Sequence, residues 1–425
     1  MSETLSSDPA KLARVNKPGA LDRLFRRAVC TRLAGLRHGL IRLTDGEIEL
    51  SFGERSSRCD LEANLRIHAP ATYRRMALHG SIGAGEGYMA GEWSCDNLTD
   101  LVRILVLNLE VVDRMERGLA LLYRPILWAL HVARRNTHQG SRSNIAAHYD
   151  LGNDFYRLFL DETLMYSCGV FAEENTSLHQ ASVAKNDRIC RKLQLDPHDH
   201  VLEIGTGWGG FALHAAAHYG CKITTTTISR EQYELTRQRV NEAGLGDRVT
   251  VLFEDYRDLR GQYDKLVSIE MIEAVGHQYY ATFFRQCARM LKPEGMMLLQ
   301  TITIADQRYE QAKRAVDFIQ RYIFPGGCLP SVTALCCAMT EASDLRPFQL
   351  EDIGPHYATT IRHWRERFLA NLHKVRDLGY TDEFIRMWEF YLGYCEGAFM
   401  ERAIANVQML LVRPWCRREA LVPAL

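Results

Sequence analysis

The chain has 425 residues, of which 47% are hydrophobic and 24% charged, values close to those of globular proteins. Its 52 Lys and Arg residues balance 52 Asp and Glu residues, so the formal net charge is zero. This composition excludes a disordered chain, a multispanning membrane protein and a chain-wide basic surface, and we therefore expect no nucleic-acid partner. The charge is uneven, however, because residues 11–42 carry nine cations and one anion, a local excess of eight.

The N-terminal segment and the cysteines indicate a cytoplasmic protein. Residues 1–18 have no apolar run and are predicted to form a disordered tail, not a signal peptide. The most apolar stretch, residues 119–133, is interrupted by Arg124, Pro125 and His131, which argues against a membrane span. Twelve cysteines without any C-x-x-C spacing predict neither a disulfide framework nor a zinc site. No cluster of His, Cys, Asp and Glu has metal-ligand spacing, so no metal is predicted.

The basic end contains an apolar stripe at helical spacing over residues 21–40, with the arginines largely off the stripe. Two interpretations stay open: a helix packed on its own domain, or a helix that contacts anionic phospholipid headgroups at the inner face of the membrane. Residues 41–70 alternate apolar and polar positions around the turn pair Asp45–Gly46, which predicts short antiparallel strands.

Residues 134–143 have the composition of a linker and set the predicted domain boundary. We expect a smaller, membrane-associated α+β domain over residues 19–140 and a catalytic domain over residues 141–425.

From residue 200 onward, strand and helix patterns alternate in the order typical of a parallel, doubly wound α/β sheet. The predicted strands are residues 200–205, 222–228, 249–254, 265–270, 296–304 and 407–412. Helical periodicity covers residues 211–219, 230–243, 278–291, 361–378 and 383–403. An insertion is expected between residues 307 and 348.

The strongest local signal is VLEIGTGWGG, residues 201–210, in which a buried strand runs through glycines into a helix. Such a loop lets a ligand approach the backbone at the edge of an open sheet, and it fits either a dinucleotide or S-adenosylmethionine. The second strand, KITTTTI, lacks the terminal acid that a dinucleotide ribose requires, and Ser229-x-x-Gln232 is typical of a capping box that places Glu231 in the next helix. Asp255 and Tyr256 then follow the third strand, where an adenine is held in methyltransferases. The pattern favours S-adenosylmethionine.

The string NIAAHYDLGNDFYRLFLDETLMYSCGVF from residue 144, followed by VLEIGTGWGGFALHAA and TTISREQ, resembles the cyclopropane-fatty-acyl-phospholipid synthases and the mycolic acid cyclopropane synthases. The resemblance covers nearly all of residues 144–415. It implies a seven-stranded class I methyltransferase sheet with helical additions around an acyl channel, and a smaller N-terminal domain of the phospholipid enzymes. It also implies S-adenosylmethionine as cofactor and unsaturated phospholipid acyl chains as substrate, and it leaves a homodimer as one candidate assembly.

The resemblance assigns site residues position by position. For the cofactor these are Tyr166, Ser167, Gly205, Gly207, Gly209, Thr227, Ile228, Gln232, Asp255 and Tyr256. A bicarbonate ion that acts as the base in this family would be held by Cys168, Glu273 and Tyr391, with Gln300 at the position of a further bicarbonate partner. We expect Cys168 to act through its backbone or to pack, and Glu270 to face away from Glu273.

Two departures bear on the final deprotonation. The phospholipid cyclopropanases have histidines where this chain has Ala274 and Gln300. An amide can donate a hydrogen bond to an anion, but it cannot carry a positive charge or shuttle a proton. Two alternatives within this class are a methyl-branched product and a lipid-binding paralogue without activity. From another class, a dinucleotide-dependent oxidoreductase would use the same glycine loop. His148 and His356 are interpreted as structural histidines.

Overall fold

The computed structural model describes residues 19–116, 140–141 and 151–419. The predicted N-terminal tail, the apolar stretch at residues 119–133, most of the predicted linker and His148 lie outside the described residues. The prediction of two domains with a boundary at residue 140 is therefore not tested.

The N-terminal part combines a four-stranded sheet with four helices. The strands are β1 (Gly39–Asp45), β2 (Ile48–Glu54), β3 (Glu62–Ile67) and β4 (Trp93–Cys95), in the order β2-β1-β3-β4. The helices are α1 (Ala20–Leu33), α2 (Ala71–Met89), α3 (Leu98–Leu107) and α4 (Leu109–Glu116). The predicted antiparallel pairing is confirmed for β1 and β2, where Asp45 lies opposite Ile48. It is wrong for β3, which runs parallel to β1.

The apolar stripe over residues 21–40 is not one helix, and that prediction is wrong in its extent. The helix ends at Leu33, and Leu40 already belongs to β1. Leu36 lies in the turn between α1 and β1 and is buried. The apolar residues of the turn and the strand therefore follow the helical spacing only by coincidence. At the other end of α1, Leu21 and Leu24 are 68% and 61% exposed.

The larger sheet has seven strands in the order β10-β11-β9-β8-β5-β6-β7. Strands β5 to β9 run parallel, and β11 pairs antiparallel with both β9 and β10. The bounds are β5 (His200–Ile204), β6 (Lys222–Thr227), β7 (Val249–Phe253), β8 (Tyr263–Ile269), β9 (Leu291–Ile304), β10 (Arg346–Asp352) and β11 (Ile404–Val412). The six predicted strands are confirmed, whereas β10 was missed because it is a polar edge strand that contains Pro347.

The remaining helices cover the sheet and fill the predicted insertion. They are α5 (Asn153–Arg157), α6 (Leu178–Leu193), α7 (Gly210–Tyr219), α8 (Arg230–Glu242), α9 (Tyr280–Met290), α10 (Asp306–Ala312), α11 (Phe318–Tyr322), α12 (Val332–Ala342), α13 (Gly354–Ala370), α14 (Leu372–Asp377) and α15 (Asp382–Met400). The long helix α15 packs against α13 on one side and against α2 and α3 on the other. One hydrophobic cluster therefore joins the N-terminal part to the helices above the larger sheet.

Candidate active site

The glycine loop leaves β5 at the carboxyl edge of the sheet. Its first amides are tied to the neighbouring strand, because the N–H groups of Gly205 and Thr206 donate to the Thr226 carbonyl at 3.1 and 3.0 Å. Gly207 has a φ of +51°, and a Cβ built there meets no described atom within 4 Å. Gly209 then precedes α7. At Gly207 the loop therefore presents its backbone to open space, which is compatible with a cofactor lying against it.

The predicted ribose side lies at the end of β6. Ser229 caps α8 by accepting from the Gln232 amide, and Glu231 lies in the first turn of that helix, as expected. The reciprocal half of the capping box is not formed: the Gln232 side chain accepts from the Thr227 hydroxyl at 2.8 Å. Thr227 and Gln232 therefore face each other beside the loop, next to Ile228.

The predicted adenine side contains an ion pair that the sequence reasoning missed. The Asp255 carboxylate is 2% exposed and accepts from the Arg257 guanidinium at 2.6 and 2.8 Å. The Arg257 guanidinium also lies 5.7 Å from the centre of the Tyr256 ring. Arg257 thus fixes Asp255 and Tyr256, and their contact with an adenine stays a prediction. The motif Asp255-x-Arg257 was the signal in the sequence from which this ion pair could have been predicted.

Tyr166 and Ser167 lie on the segment that precedes α6. Ser167 is 4% exposed, and its hydroxyl is buried without a hydrogen-bond partner among the described residues. A buried orphan hydroxyl is costly unless a ligand satisfies it, so Ser167 fits a polar cofactor. The Tyr166 hydroxyl lies 2.9 Å from that of Tyr391 on α15, which brings two predicted site residues together.

Glu273 lies in a short 3₁₀ helix, Ile272–Ala274, just after β8. One of its carboxylate oxygens accepts from the Thr301 hydroxyl at 2.9 Å and from the Ile302 amide. The other oxygen is buried without a partner among the described residues. Burial and the nearby negative charge of Glu270 raise the pKa of Glu273 from its ordinary 4.5 to about 8. The surroundings of Glu273 therefore favour its neutral form.

The expectation that Glu270 faces away from Glu273 is wrong, because its charge lies near enough to raise the pKa of Glu273. Its Oε1 accepts from the Cys168 amide at 3.0 Å, from Gln300 Nε2 at 2.9 Å and from Asn406 Nδ2 at 2.7 Å. Its Oε2 accepts from the Tyr357 hydroxyl at 2.6 Å. Glu270 thus lies at the centre of a polar cluster built from four separate chain segments.

Cys168 and Gln300 take part in this cluster as hydrogen-bond donors. Cys168 is 0% exposed, and burial followed by the charge of Glu270 raises the pKa of its thiol. The thiol donates to the Gly169 carbonyl, so the geometry matches the expectation that Cys168 acts through its backbone or packs. The Gln300 side chain is oriented by Gln408, which donates to its carbonyl at 3.0 Å.

The bicarbonate ion implied by the resemblance does not fit this arrangement. Two of the groups assigned to it, the Cys168 amide and the Gln300 side chain, already donate to Glu270. The charge of Glu270 already disfavours a negative charge on the neighbouring Glu273, and it would repel a bicarbonate ion in the same way.

Aromatic rings pack against one another between the Tyr166 segment and α15. The Tyr166 ring lies 5.1 Å from Trp364 and 6.4 Å from Phe324. The Tyr391 ring lies 6.2 Å from Phe324 and 5.3 Å from Trp388. Ring faces at this density can stabilise a cation in an apolar environment.

The structure brings together one group of potential metal ligands that the sequence reasoning missed. Single ligand atoms of Asp161, Glu162 and His179 lie within 4.8 Å of one another. Asp161 already accepts from the Thr163 and Ser182 hydroxyls, and Glu162 and His179 are exposed. This pattern is that of a hydrogen-bonded acid with exposed neighbours.

Of the two histidines interpreted as structural, only His356 lies within the described residues. Its ring accepts from the Phe171 amide, and burial lowers its pKa. This agrees with its interpretation as a structural histidine.

A parallel sheet with a glycine loop at its central strand and an antiparallel pair at one edge defines a class I S-adenosylmethionine-dependent methyltransferase. Comparisons with known proteins give the family. The family model described as "Mycolic acid cyclopropane synthetase" matches residues 136–409, and the chain belongs to this family. It is therefore an S-adenosylmethionine-dependent methyltransferase of the cyclopropane synthase type that acts on lipid, and the interpretation as an oxidoreductase is wrong.

Individual relatives extend this result. Tuberculostearic acid methyltransferase UfaA1 of Mycobacterium tuberculosis is 38% identical, over 97% of this chain and 99% of the relative. The cyclopropane-fatty-acyl-phospholipid synthase of Escherichia coli is also 38% identical, over 83% of this chain and 88% of the relative. The structure of mycolic acid cyclopropane synthase CmaA1 complexed with SAH and CTAB superposes with a TM-score of 0.60 at 31% identity, over 64% of this chain and 98% of that chain.

Within the described part of the chain, each helix is too short or too polar to pass through a bilayer.

Proposed function

We propose that the chain adds a one-carbon unit to the double bond of an unsaturated phospholipid acyl chain and closes it to a cyclopropane ring. The observation that carries this proposal is the contact between the Tyr166 and Tyr391 hydroxyls. This contact joins the Tyr166 segment, which the resemblance assigns to the cofactor, to the buried aromatic rings around α15. A polar substrate would not need such rings. The E. coli relative, named for cyclopropane fatty acyl phospholipid synthesis, supports the same substrate class.

The cofactor would lie along the glycine loop. The backbone at Gly205, Gly207 and Gly209 would support its methionine and ribose portions, and the buried Ser167 hydroxyl would bind its polar end. Thr227, Ile228 and Gln232 would contact the ribose, and Asp255 with Tyr256 would hold the adenine. When bound, S-adenosylmethionine supplies a methyl group activated by a sulfonium, which an unactivated alkene needs.

The protein's own part is to align the alkene, exclude water and stabilise positive charge on the acyl chain. The aromatic wall formed by Tyr166, Phe324, Trp364, Trp388 and Tyr391 presents ring faces for this purpose, and each favourable cation–π contact contributes about 2 kcal/mol when desolvated. Water in this space would convert the cation to an alcohol.

A second product, a methyl-branched chain, has its own support. The relative that covers 97% of this chain is named a tuberculostearic acid methyltransferase, and another relative, of Pseudomonas putida, is named a probable fatty acid methyltransferase. Both products would share the transfer of the methyl group to the double bond. Loss of a different proton from the resulting cation would give an unsaturated branch, and a saturated methyl branch would in addition need a hydride from a separate reductant.

The enzyme would reach its substrate by binding to the membrane surface with the first turns of α1. Leu21 and Leu24 are exposed there, and the exposed Arg23 and Arg27 lie beside them. This combination suits an anionic leaflet, since apolar side chains insert while each nearby cation contributes about 1 kcal/mol.

Incubation with methyl-labelled S-adenosylmethionine and vesicles of unsaturated phospholipid tests the function. We expect label in the fatty acyl chains, with vesicles of saturated phospholipid as the control. Gas chromatography with mass spectrometry then separates ring from branch. Cofactor binding without any label in lipid would contradict the proposal.

A further inference from the structure

The four hydrogen bonds to Glu270 give this chain a carboxylate where the resemblance implies a bicarbonate ion. Both groups are planar and carry two acceptor oxygens. The Cys168 amide and the Gln300 side chain, which the resemblance assigns to the ion, donate instead to Glu270 at 3.0 and 2.9 Å. Asn406 and Tyr357 donate as well, so the carboxylate has the full set of donors that an isolated anion would need.

The backbone at this position is strained, which indicates that the side chain is held there by its surroundings. Glu270 has a φ of +49°, in the left-handed region that is unfavourable for a residue with a Cβ. Its amide is fixed by a hydrogen bond to the Gln300 carbonyl at 2.7 Å. Strain of this kind persists where a functional site overdetermines the conformation.

The position also contacts the aromatic wall. Glu270 is only partly buried, whereas its partners Cys168, Gln300 and Asn406 are 0% exposed. Tyr357, which donates to the Glu270 carboxylate, also packs against Trp364 of the aromatic wall at 5.9 Å. One side chain therefore separates the carboxylate from the rings assigned to the acyl cation.

We propose that the Glu270 carboxylate is the built-in base of this enzyme and replaces bicarbonate. This inference rests on the proposed function. In the cationic acyl intermediate, a C–H bond of the added methyl group breaks, its electron pair closes the new carbon–carbon bond, and the proton moves to Glu270. The cation and the carboxylate become a neutral ring and a neutral carboxylic acid, so charge and atoms balance. The proton then leaves to water when the product is released.

Two substitutions at Glu270 separate a base from a purely structural anchor. Glu270→Gln keeps the shape: its carbonyl still accepts from Cys168, Gln300 and Asn406, while its amide donates to the Tyr357 hydroxyl oxygen. Only the ability to take a proton is lost. Glu270→Gly empties the space, leaves the four donors facing it and relieves the left-handed strain. Gln194→Gly is the matched control, because Gln194 also has a positive φ of 52° but lies exposed at the end of α6.

The assay is labelled methyl transfer to unsaturated phospholipid vesicles in buffer freed of carbon dioxide, with and without millimolar bicarbonate. We expect the unmodified enzyme and Gln194→Gly to be active and indifferent to bicarbonate. Glu270→Gln should lose roughly 100-fold or more in turnover, without rescue by bicarbonate. Glu270→Gly should be equally impaired and recover at least about tenfold when bicarbonate enters the emptied space. Unchanged affinity for S-adenosylmethionine in both variants shows that the cofactor site is intact.

Other outcomes would overturn the inference. If the unmodified enzyme requires bicarbonate, or if Glu270→Gln keeps its turnover within about threefold, then Glu270 is not the base and the proposed function still stands. Loss of turnover in Glu270→Gly without any response to bicarbonate would make Glu270 an anchor only. If the unmodified enzyme labels no lipid under any condition, the proposed function itself fails, and the assignment of Glu270 fails with it.

Discussion

A methyl group added at Gly207 would project from the glycine loop into space that the described part of the protein leaves open. Gly207 has a φ of +51°, and a Cβ at this position has no described atom within 4 Å. If the cofactor lies against this loop, Gly207→Ala places the new methyl in the volume that the cofactor needs. If the cofactor lies elsewhere, the only effect is the conformational cost of alanine in the left-handed region.

These two effects differ in size and in the quantity measured. The left-handed conformation costs alanine about 1 kcal/mol, which lowers the melting temperature by about 2 °C in a protein of this size. Exclusion of the cofactor by a methyl group should weaken binding at least tenfold, about 1.4 kcal/mol. Isothermal titration with S-adenosylmethionine measures the second effect, and thermal unfolding without cofactor measures the first.

Gly244, just beyond the end of α8, supplies the matched control. Its φ is +65°, and a Cβ placed on it likewise has no described atom within 4 Å. Gly244→Ala should therefore lower the melting temperature by a similar amount while S-adenosylmethionine binds with unchanged affinity. Equal affinities in the two variants would refute the placement of the cofactor on the loop.

Three further predictions concern the acid, the tyrosine pair and the membrane contact. In the folded protein the pKa of Glu273 is raised from 4.5 to about 8, so Glu273 ionises more easily in the unfolded chain. The free energy of unfolding therefore falls as the pH rises from 4.5 to about 8. Glu273→Gln should therefore gain about 4 kcal/mol of stability relative to the unmodified protein between pH 5 and 8.5 in denaturant melts. Tyr391→Phe removes the hydrogen bond to Tyr166 and should lower kcat/KM about fivefold, about 1 kcal/mol. Replacing Leu21 and Leu24 by Gln should reduce sedimentation with anionic vesicles at least about tenfold.

Each of these has a distinguishing control. A stability difference for Glu273→Gln that is the same at pH 5 and pH 8.5 would contradict a buried neutral carboxyl. Tyr166→Phe should match Tyr391→Phe, and the double variant should add nothing more, because both remove one hydrogen bond. Leu378, 44% exposed next to the end of α14, supplies the control for the leucines: Leu378→Gln should leave vesicle binding unchanged.

The central sheet and its glycine loop could be predicted from sequence because their signals are local. The parallel strands are rich in apolar or β-branched residues, such as HVLEI in β5 and KITTTT in β6, and the loop Gly205-x-Gly207 follows β5 directly. Ser229 at the start of α8 was equally readable, since a cap and its helix are adjacent in the chain.

The site could not be assembled in the same way, because its contacts are distant in sequence. The partners of Glu270 are Cys168, Gln300, Asn406 and Tyr357, which are separated from it in sequence by 102, 30, 136 and 87 positions. No periodicity encodes such a cluster. The expectation that Glu270 and Glu273 face opposite ways assumed a regular strand. The positive φ of Glu270 ends that alternation and turns both carboxylates toward the same region.

The packing of α15 explains why residues 19–116 matter for a site in the other part of the chain. Tyr391 reaches Tyr166 from one face of α15, while Gly393 and Gly397 lie on the face that contacts α3. A Cβ at Gly397 would lie 2.9 Å from the Thr99 carbonyl oxygen, so the helices approach as closely as their backbones permit. The buried Glu396 adds a polar tie, because it accepts from the Thr99 hydroxyl at 3.0 Å. A displacement of α3 would therefore move α15 and, with it, the hydroxyl that orients Tyr166 in the aromatic wall.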